Sequence, residues 1–358
     1  KKMIWSVPMK IRVGSKTISV LFKDEKQTLE LPKNTEWVHL NADSTGFYAS
    51  QCDHAMMEGL TKALKNGEKA LTVLDKVCLV RDALAVAECG MPGETLNLLN
   101  LIVSFQNDEI GWQAPEDKKE DEDVEGLLRP LIIQSIGDYG YQPVIDEALK
   151  RFRSFMKFVY IFIYLFIYLF HYNNENDEKK TDISPSLKSV VFTIAIKNGD
   201  KKDFELLKKY YLTATDSAEK DWALRSLGWT TDTELIRHML QWIKNSSEVR
   251  NQDKVYPFRT LATNPAGREI AWEFLQKTFS EWYSIFEGGF LVKHLAKLPS
   301  EFVSFEKASE IEKFYDSLDF PACKRSMQQC VENIKKNASW RKQDIALIEK
   351  WVSANVKK

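Results

Sequence analysis

The sequence predicts a mainly α protein: a curved superhelix of antiparallel helix pairs, HEAT- or ARM-like, preceded by a short β-sandwich portion. Three observations carry this expectation. Apolar and polar residues alternate with a period of two only in the N-terminal part, before about Asp53. From there to near Val356 the apolar period is about 3.6, the signature of amphipathic helices. Short polar turns separate the helical stretches, and helices joined in this way pack as antiparallel neighbours that stack into a solenoid. No strict sequence repeat accompanies the regularity, so it is structural only.

The β portion comes first. "MKIRVGSKTISVLF" carries β-branched residues around a Gly14-Ser15 turn, the pattern of a hairpin. "QTLELP" alternates from Gln27 to Leu31, and "TEWVHLN" leads into "STGFYASQ". Together these predict four or five short strands, a β-sandwich remnant over residues 1–52. Residues 53–358 form the helical domain, with roughly twelve to fifteen helices.

Two helices are the clearest. In "TTDTELIRHMLQWI", Leu235, Ile236, Met239, Leu240 and Ile243 fall on one face. Thr231 is the expected N-cap and Glu234, three residues on, completes a capping box. In "NPAGREIAWEFLQKTFSEWYSIFEGG", Asn264 is the expected cap and Pro265 the first helical residue. Ile270, Ala271, Phe274, Leu275, Phe279 and Trp282 make the apolar stripe, and Gly288-Gly289 ends the helix. The charged run "EDKKEDEDVEG", Glu116 to Gly126, reads as a solvated loop, with an acidic interaction site as the sharper alternative.

"FVYIFIYLFIYLFHY", Phe158 to Tyr172, fits none of this. It is shorter than the roughly 20 apolar residues a spanning helix needs. Aromatics occupy every even position, and Ile163 to Phe170 is a perfect tandem repeat of "IYLF". Ile, Tyr, Leu, Phe, Asn and Lys all have codons made only of A and T, so the texture favours translated non-coding sequence such as a retained intron. A membrane or re-entrant segment and a buried element of the fold are the alternatives.

Bulk numbers exclude several functions. With 50 basic and 51 acidic residues, net charge −1, and no dense Lys/Arg run, nothing favours nucleic acid or a membrane surface as partner. The five cysteines, Cys52, Cys78, Cys89, Cys323 and Cys330, match no zinc or CxxC spacing and read as buried reduced thiols. His39, His54, His171, His238 and His294 form no HExxH, and His39 reads as structural. GxSxG, P-loop and GxGxxG motifs are absent. The residues alone therefore support a helical scaffold or interaction domain with no catalytic residue and no metal ligand.

Longer stretches carry a resemblance. "EWVHLNADSTGFYASQ", "DKVCLVRDALAVAECG", "NPAGREIAWEFL", "GGFLVKHLAKL" and "SMQQCVENIKKNASWRKQDIALIEKWV" together resemble the C-terminal part of zinc aminopeptidases, most nearly the cytosolic puromycin-sensitive type. The resemblance runs from Trp5 to Val352. It implies a small β-sandwich followed by a helical bowl that caps a catalytic domain and shapes the peptide cavity. It implies a cytoplasmic location, with peptides and that catalytic domain as partners. The zinc site, HExxH…E, with its GAMEN-type motif and oxyanion-stabilising tyrosine, would lie upstream of Lys1. No cofactor is expected on this chain, which is expected to be inactive alone. The resemblance also sets about Met156 to Thr181 apart as an insert between "EALKRFRSF" and "SPSLKSVVFTIAIKNGD". The family's Arg after "GFY", and the Tyr three residues later, are replaced by Ala49 and Cys52. Arg259, just before the "LATNP" turn, is the candidate for a basic group meeting a peptide carboxylate. Its bland alternative is pairing with a neighbouring helix carboxylate. The competing reading of the whole is a stand-alone helical interaction protein derived from an aminopeptidase and without activity.

Overall fold

A computed structural model describes residues 6–88, 97, 100, 101, 112, 124–138, 140–168, 183–287 and 289–355. Among these it holds a small sheet and thirteen α-helices, in two compact units: residues 1–128 with 339–358, and residues 129–338.

In the first unit, β1 (Val7–Val13) and β2 (Lys16–Phe22) form the expected hairpin. Pairing of Val13 with Lys16 leaves Gly14 and Ser15 as the loop, and Gly14 takes φ +56, which a residue without a Cβ adopts freely. β3 (His39–Leu40) adds to the other side of β1, giving the order β2-β1-β3. The expected four or five strands are therefore three among the described residues, and Gln27 to Leu31 is irregular. Leu29 alone packs on the sheet's core of Ile11, Val13 and Val38; Gln27, Thr28, Glu30 and Leu31 are exposed. β3 stops early because Asn41, Asp43 and Ser44 all take positive φ. Asn41 holds this turn with both ends of its amide, accepting from Gly46 N at 2.6 Å and donating to Gly46 O at 3.0 Å.

That turn is braced by buried charge. Asp75, on α2 (Val73–Glu88), is fully buried. It accepts from the amides of Asp43 (2.7 Å) and Thr72 (3.0 Å) and lies 2.7 Å from Arg12 Nε and 3.3 Å from His39 Nε2. Burial alone would raise its pKa. The His39 contact, the two amides and the His39 charge overcome this and hold it at about 2. α1 (His54–Lys65) starts on Asp53, whose carboxylate accepts from Met56 N. Leu60, Leu64, Leu79 and Ala83 of the two helices close over Trp37 and Cys52.

The remaining α-helices are α3 (Val124–Asp138), α4 (Gln142–Tyr168), α5 (Lys188–Asn198), α6 (Lys201–Thr213), α7 (Ser217–Leu227), α8 (Thr233–Asn245), α9 (Val255–Thr263), α10 (Arg268–Phe286), α11 (Val292–Leu295), α12 (Phe305–Asp316) and α13 (Lys324–Asn355); α4 to α12 lie in the second unit, with α3 from residue 129 and α13 up to residue 338. Helices α4 to α7 touch in sequence, as do α8 to α11, and alternate helices touch as well: α5, α7, α9 and α11 form one contacting series, while α4 meets α6 and α8 meets α10.

Aspartates start the middle helices. Asp200 and Asp203 make a capping box for α6, and Asp216 caps α7. The cap of α8 is Asp232, not Thr231: its carboxylate accepts from Glu234 N (2.9 Å) and Leu235 N (3.2 Å). A carboxylate gains from the positive end of the helix dipole as well as from the hydrogen bonds. The five expected core residues of α8 are all buried. Asn264 and Pro265 do not open α10, which begins three residues later at Arg268. Asn264 instead follows α9 and is spent on tertiary structure. Its amide donates to Gly228 O (3.0 Å) and Thr230 O (2.7 Å) and locks the turn between α7 and α8. On α10, Ala271, Leu275, Phe279 and Trp282 are buried as expected; Trp272 and Phe286 join them, and Ile270 and Phe274 are only half-buried.

The anomalous run continues α4 without a break to Tyr168. Phe152, Phe155 and Met156 are buried, with Phe155 packing on Phe192 and Tyr210. Tyr160 donates to Leu206 O at 2.9 Å, and burial pushes its hydroxyl up to about 12. Among the described residues no helix is long and apolar enough to cross a membrane. The rest of the run, with His171, and the charged segment at residues 116–123 lie outside the described residues. Cys52, Cys78, Cys323 and Cys330 are buried free thiols, while Cys89 lies outside.

Candidate peptide-contact site

The α9 helix buries Val255, Phe258, Leu261 and Ala262, and this stripe fixes the remaining faces. Tyr256 and Arg259, one turn apart, fall off the stripe; Tyr256 is half-buried and Arg259 is exposed. On the neighbouring α11, burial of Val292 and Leu295 leaves Lys293 exposed and His294 half-buried. Lys297 is exposed just beyond that helix.

These elements bring Arg259, His294 and Lys297 into one cationic group. The pKa of His294 is lowered, first by burial and then by the charges of Arg259 and Lys297. Phe290 meets the His294 ring edge-on at 5.6 Å and is itself 66% exposed, so an aromatic surface adjoins the charges. Arg259 makes no ion pair among the described residues, so its guanidinium keeps its donors for an incoming acceptor.

Further cation–aromatic pairs continue along the same helix series. The Arg225 guanidinium lies 4.0 Å over Tyr256 while bonding Asp221 at 2.7 Å. Lys197 sits 5.8 Å from the Trp229 ring and pairs with Asp138. Such contacts hold cations in place without consuming their charge fully. Sequence reasoning singled out Arg259 and missed His294, Lys297 and Phe290. Only the spacing His294 to Lys297, one helical turn, hinted at them, and such pairs are common in a charged helical protein.

The other described histidines have polar neighbours. His39 is buried beside Asp75, His54 contacts Asn97 at 3.2 Å, and His238 contacts Lys208 at 3.3 Å. Among the described residues no group of three or more His, Cys, Asp or Glu side chains is placed to hold a metal ion. No metal chemistry is placed on them.

Comparison with known proteins shows the family of this domain. A family model for the ERAP1-like C-terminal domain matches residues 94–336. Curated relatives include aminopeptidase M1 of Arabidopsis thaliana, 24% identical over 85% of this chain and 37% of that protein. Aminopeptidase 2 of Candida albicans is 25% identical over 94% of this chain and 39% of its own length. The puromycin-sensitive aminopeptidase of Caenorhabditis elegans is 22% identical over 98% of this chain and 40% of its own length. The chain thus spans about two fifths of the length of the relatives it matches.

Proposed function

The chain belongs to the ERAP1-like C-terminal domain family, and from that premise we propose that it is the C-terminal, non-catalytic part of a zinc-dependent aminopeptidase. In this reading it caps the catalytic part, which supplies the zinc and the bond-breaking groups, and it shapes the cavity that receives the peptide. The series α5, α7, α9, α11 is the inner wall of a superhelical bowl. The whole enzyme removes N-terminal residues from peptides in the cytoplasm.

The observation that carries the reading is Arg259, without an ion pair among the described residues, beside His294 and Lys297 in a domain of this family. A peptide held for cleavage at its N-terminus presents a free carboxylate at the other end. A guanidinium with open donors recognises a carboxylate through two parallel hydrogen bonds, and the charge of Lys297 adds to the local potential. The contribution to the reaction is positional: the wall holds the distal end of the peptide while chemistry occurs elsewhere.

Binding of one fluorescent peptide in two forms, free acid and C-terminal amide, tests this. The free acid should bind more tightly by about fivefold or more, as a charge-assisted contact worth ~1 kcal/mol or above requires. Arg259→Ala should erase the difference. Equal affinity for the two forms in the unmodified chain would refute the assignment.

A further inference from the structure

Arg259 alone leaves a peptide carboxylate half satisfied. The two oxygens of a carboxylate offer about four acceptor sites, and a bidentate guanidinium fills two of them. A further donor beside Arg259 would complete the contact, and α9 carries one. Tyr256 stands three residues before Arg259 on that helix. Side chains at this spacing are neighbours on a helix surface, with Cβ atoms about 5–6 Å apart.

The hydroxyl of Tyr256 makes no hydrogen bond among the described residues. Four other tyrosines of the second unit spend theirs on a fixed acceptor: Tyr160 on Leu206 O, Tyr210 on Glu219, Tyr211 on Glu248 O and Tyr315 on Ala296 O. The Tyr256 ring is nevertheless held. Arg225 of α7 lies over it, with Cζ 4.0 Å from the ring centroid. Arg225 is itself pinned, since its Nε donates to both oxygens of Asp221 at 2.7 Å. A guanidinium stacked on a ring covers a face and leaves the hydroxyl at the ring edge open. The neighbouring helix thus fixes the ring, while its polar tip keeps a donor beside Arg259. A donor ordered before the ligand arrives costs little entropy when it binds.

Resting on the role given to Arg259 above, we propose that Tyr256 is a second donor to the C-terminal carboxylate of the peptide. Its O–H completes the contact that the guanidinium begins, and Arg225 and Asp221 are positioning residues that hold its ring. Lys297 contributes charge to the same region; the phenol contributes direction.

The fluorescent peptide in its free-acid and amide forms tests this on the purified chain. Y256F removes the hydroxyl and keeps the ring, so the stack against Arg225 is retained. It should bind the free acid about fivefold more weakly than the unmodified chain, because a hydrogen bond to a charged acceptor is lost. Its affinity for the amide should change by less than about twofold. Y283F should bind both forms as the unmodified chain does: its hydroxyl is likewise unbonded among the described residues, but its ring lies against Phe320. R225K should weaken free-acid binding in the unmodified chain and have no effect in the Y256F background, because Arg225 acts through Tyr256. With fluorotyrosine at position 256, the fluorine resonance should shift on adding the free acid and stay in place on adding the amide. If the unmodified chain prefers the free acid and Y256F keeps the whole of that preference, Tyr256 has no such role and Arg259 retains its own. A fluorine signal that ignores the free acid would overturn the proposal in the same way. An unmodified chain with no preference would overturn both roles.

Discussion

Replacing Asp75 by Asn should destabilise the first unit by about 3 kcal/mol at neutral pH. The carboxylate is fully buried, and its pKa is held at about 2 against an ordinary 3.8. At about 1.4 kcal/mol per pH unit, that depression corresponds to roughly 2.5 kcal/mol of folding stability. Arg12, whose side chain is only 10% exposed, loses one carboxylate but keeps Asp43 at 2.6 Å, so the cost stays at or below the about 3–5 kcal/mol of a buried pair broken from one side. Retained amide contacts with Asp43 and Thr72 bring the expectation toward the lower figure. A folded-state pKa below the unfolded one means that the stabilisation is complete above 3.8 and is lost as pH falls through about 2. Urea titrations should therefore show the gap between the two proteins narrowing by about 1 kcal/mol between pH 7 and pH 3. Amide hydrogen exchange of β1 and α2 at neutral pH should be about a hundredfold faster in D75N. A change below about 0.5 kcal/mol, or a gap that widens on acidification, would refute the reasoning.

Three other outcomes follow from the geometry. Asp232→Ala should cost about 1 kcal/mol as a lost helix cap, while Thr231→Ala stays within about 0.5 kcal/mol; equal costs in thermal melts would return the cap to Thr231. His294 should titrate below 6.5 in an NMR pH series, and Arg259→Ala should move it upward by removing a nearby positive charge; because a depressed base binds fewer protons when folded, its contribution to stability should fall as pH drops through that range. Cys78 and Cys330, both pushed up to about 11 chiefly by burial, should resist maleimide at pH 7 until the protein is unfolded, as mass spectrometry of labelled peptides would show.

The sequence was most legible where packing alone decides. Leu235, Ile236, Met239, Leu240 and Ile243 occupy the core face their spacing demanded. The Gly14-Ser15 hairpin also formed as expected, because a two-residue loop with glycine leaves few alternatives. Legibility failed where a local signal was claimed by a distant partner. Asn264 and Pro265 looked like a helix start, yet the Asn264 amide is committed to Gly228 and Thr230, some thirty-five residues back. Thr231 lost the cap to its neighbour because a carboxylate is the better acceptor at a helix N-terminus. The alternation at Gln27 to Leu31 anchors one residue, Leu29, on the sheet and leaves Leu31 exposed, since strand pairing depends on a partner elsewhere in the chain. Of the candidate site, only Arg259 was visible in advance. His294, Lys297 and Phe290 reach it through contact between α9 and α11, which no sequence spacing encodes.

The claim that this chain receives the carboxyl end of a peptide is tested most directly by photo-crosslinking. A peptide carrying a benzophenone at its penultimate residue and a free C-terminal carboxylate is irradiated with the chain, and the labelled residues are located by mass spectrometry. The account predicts labelling concentrated between Val255 and Lys297, lost when the carboxylate is amidated or when Arg259 is replaced by Ala. Labelling that avoids α9 and α11, or that is indifferent to amidation, would contradict it.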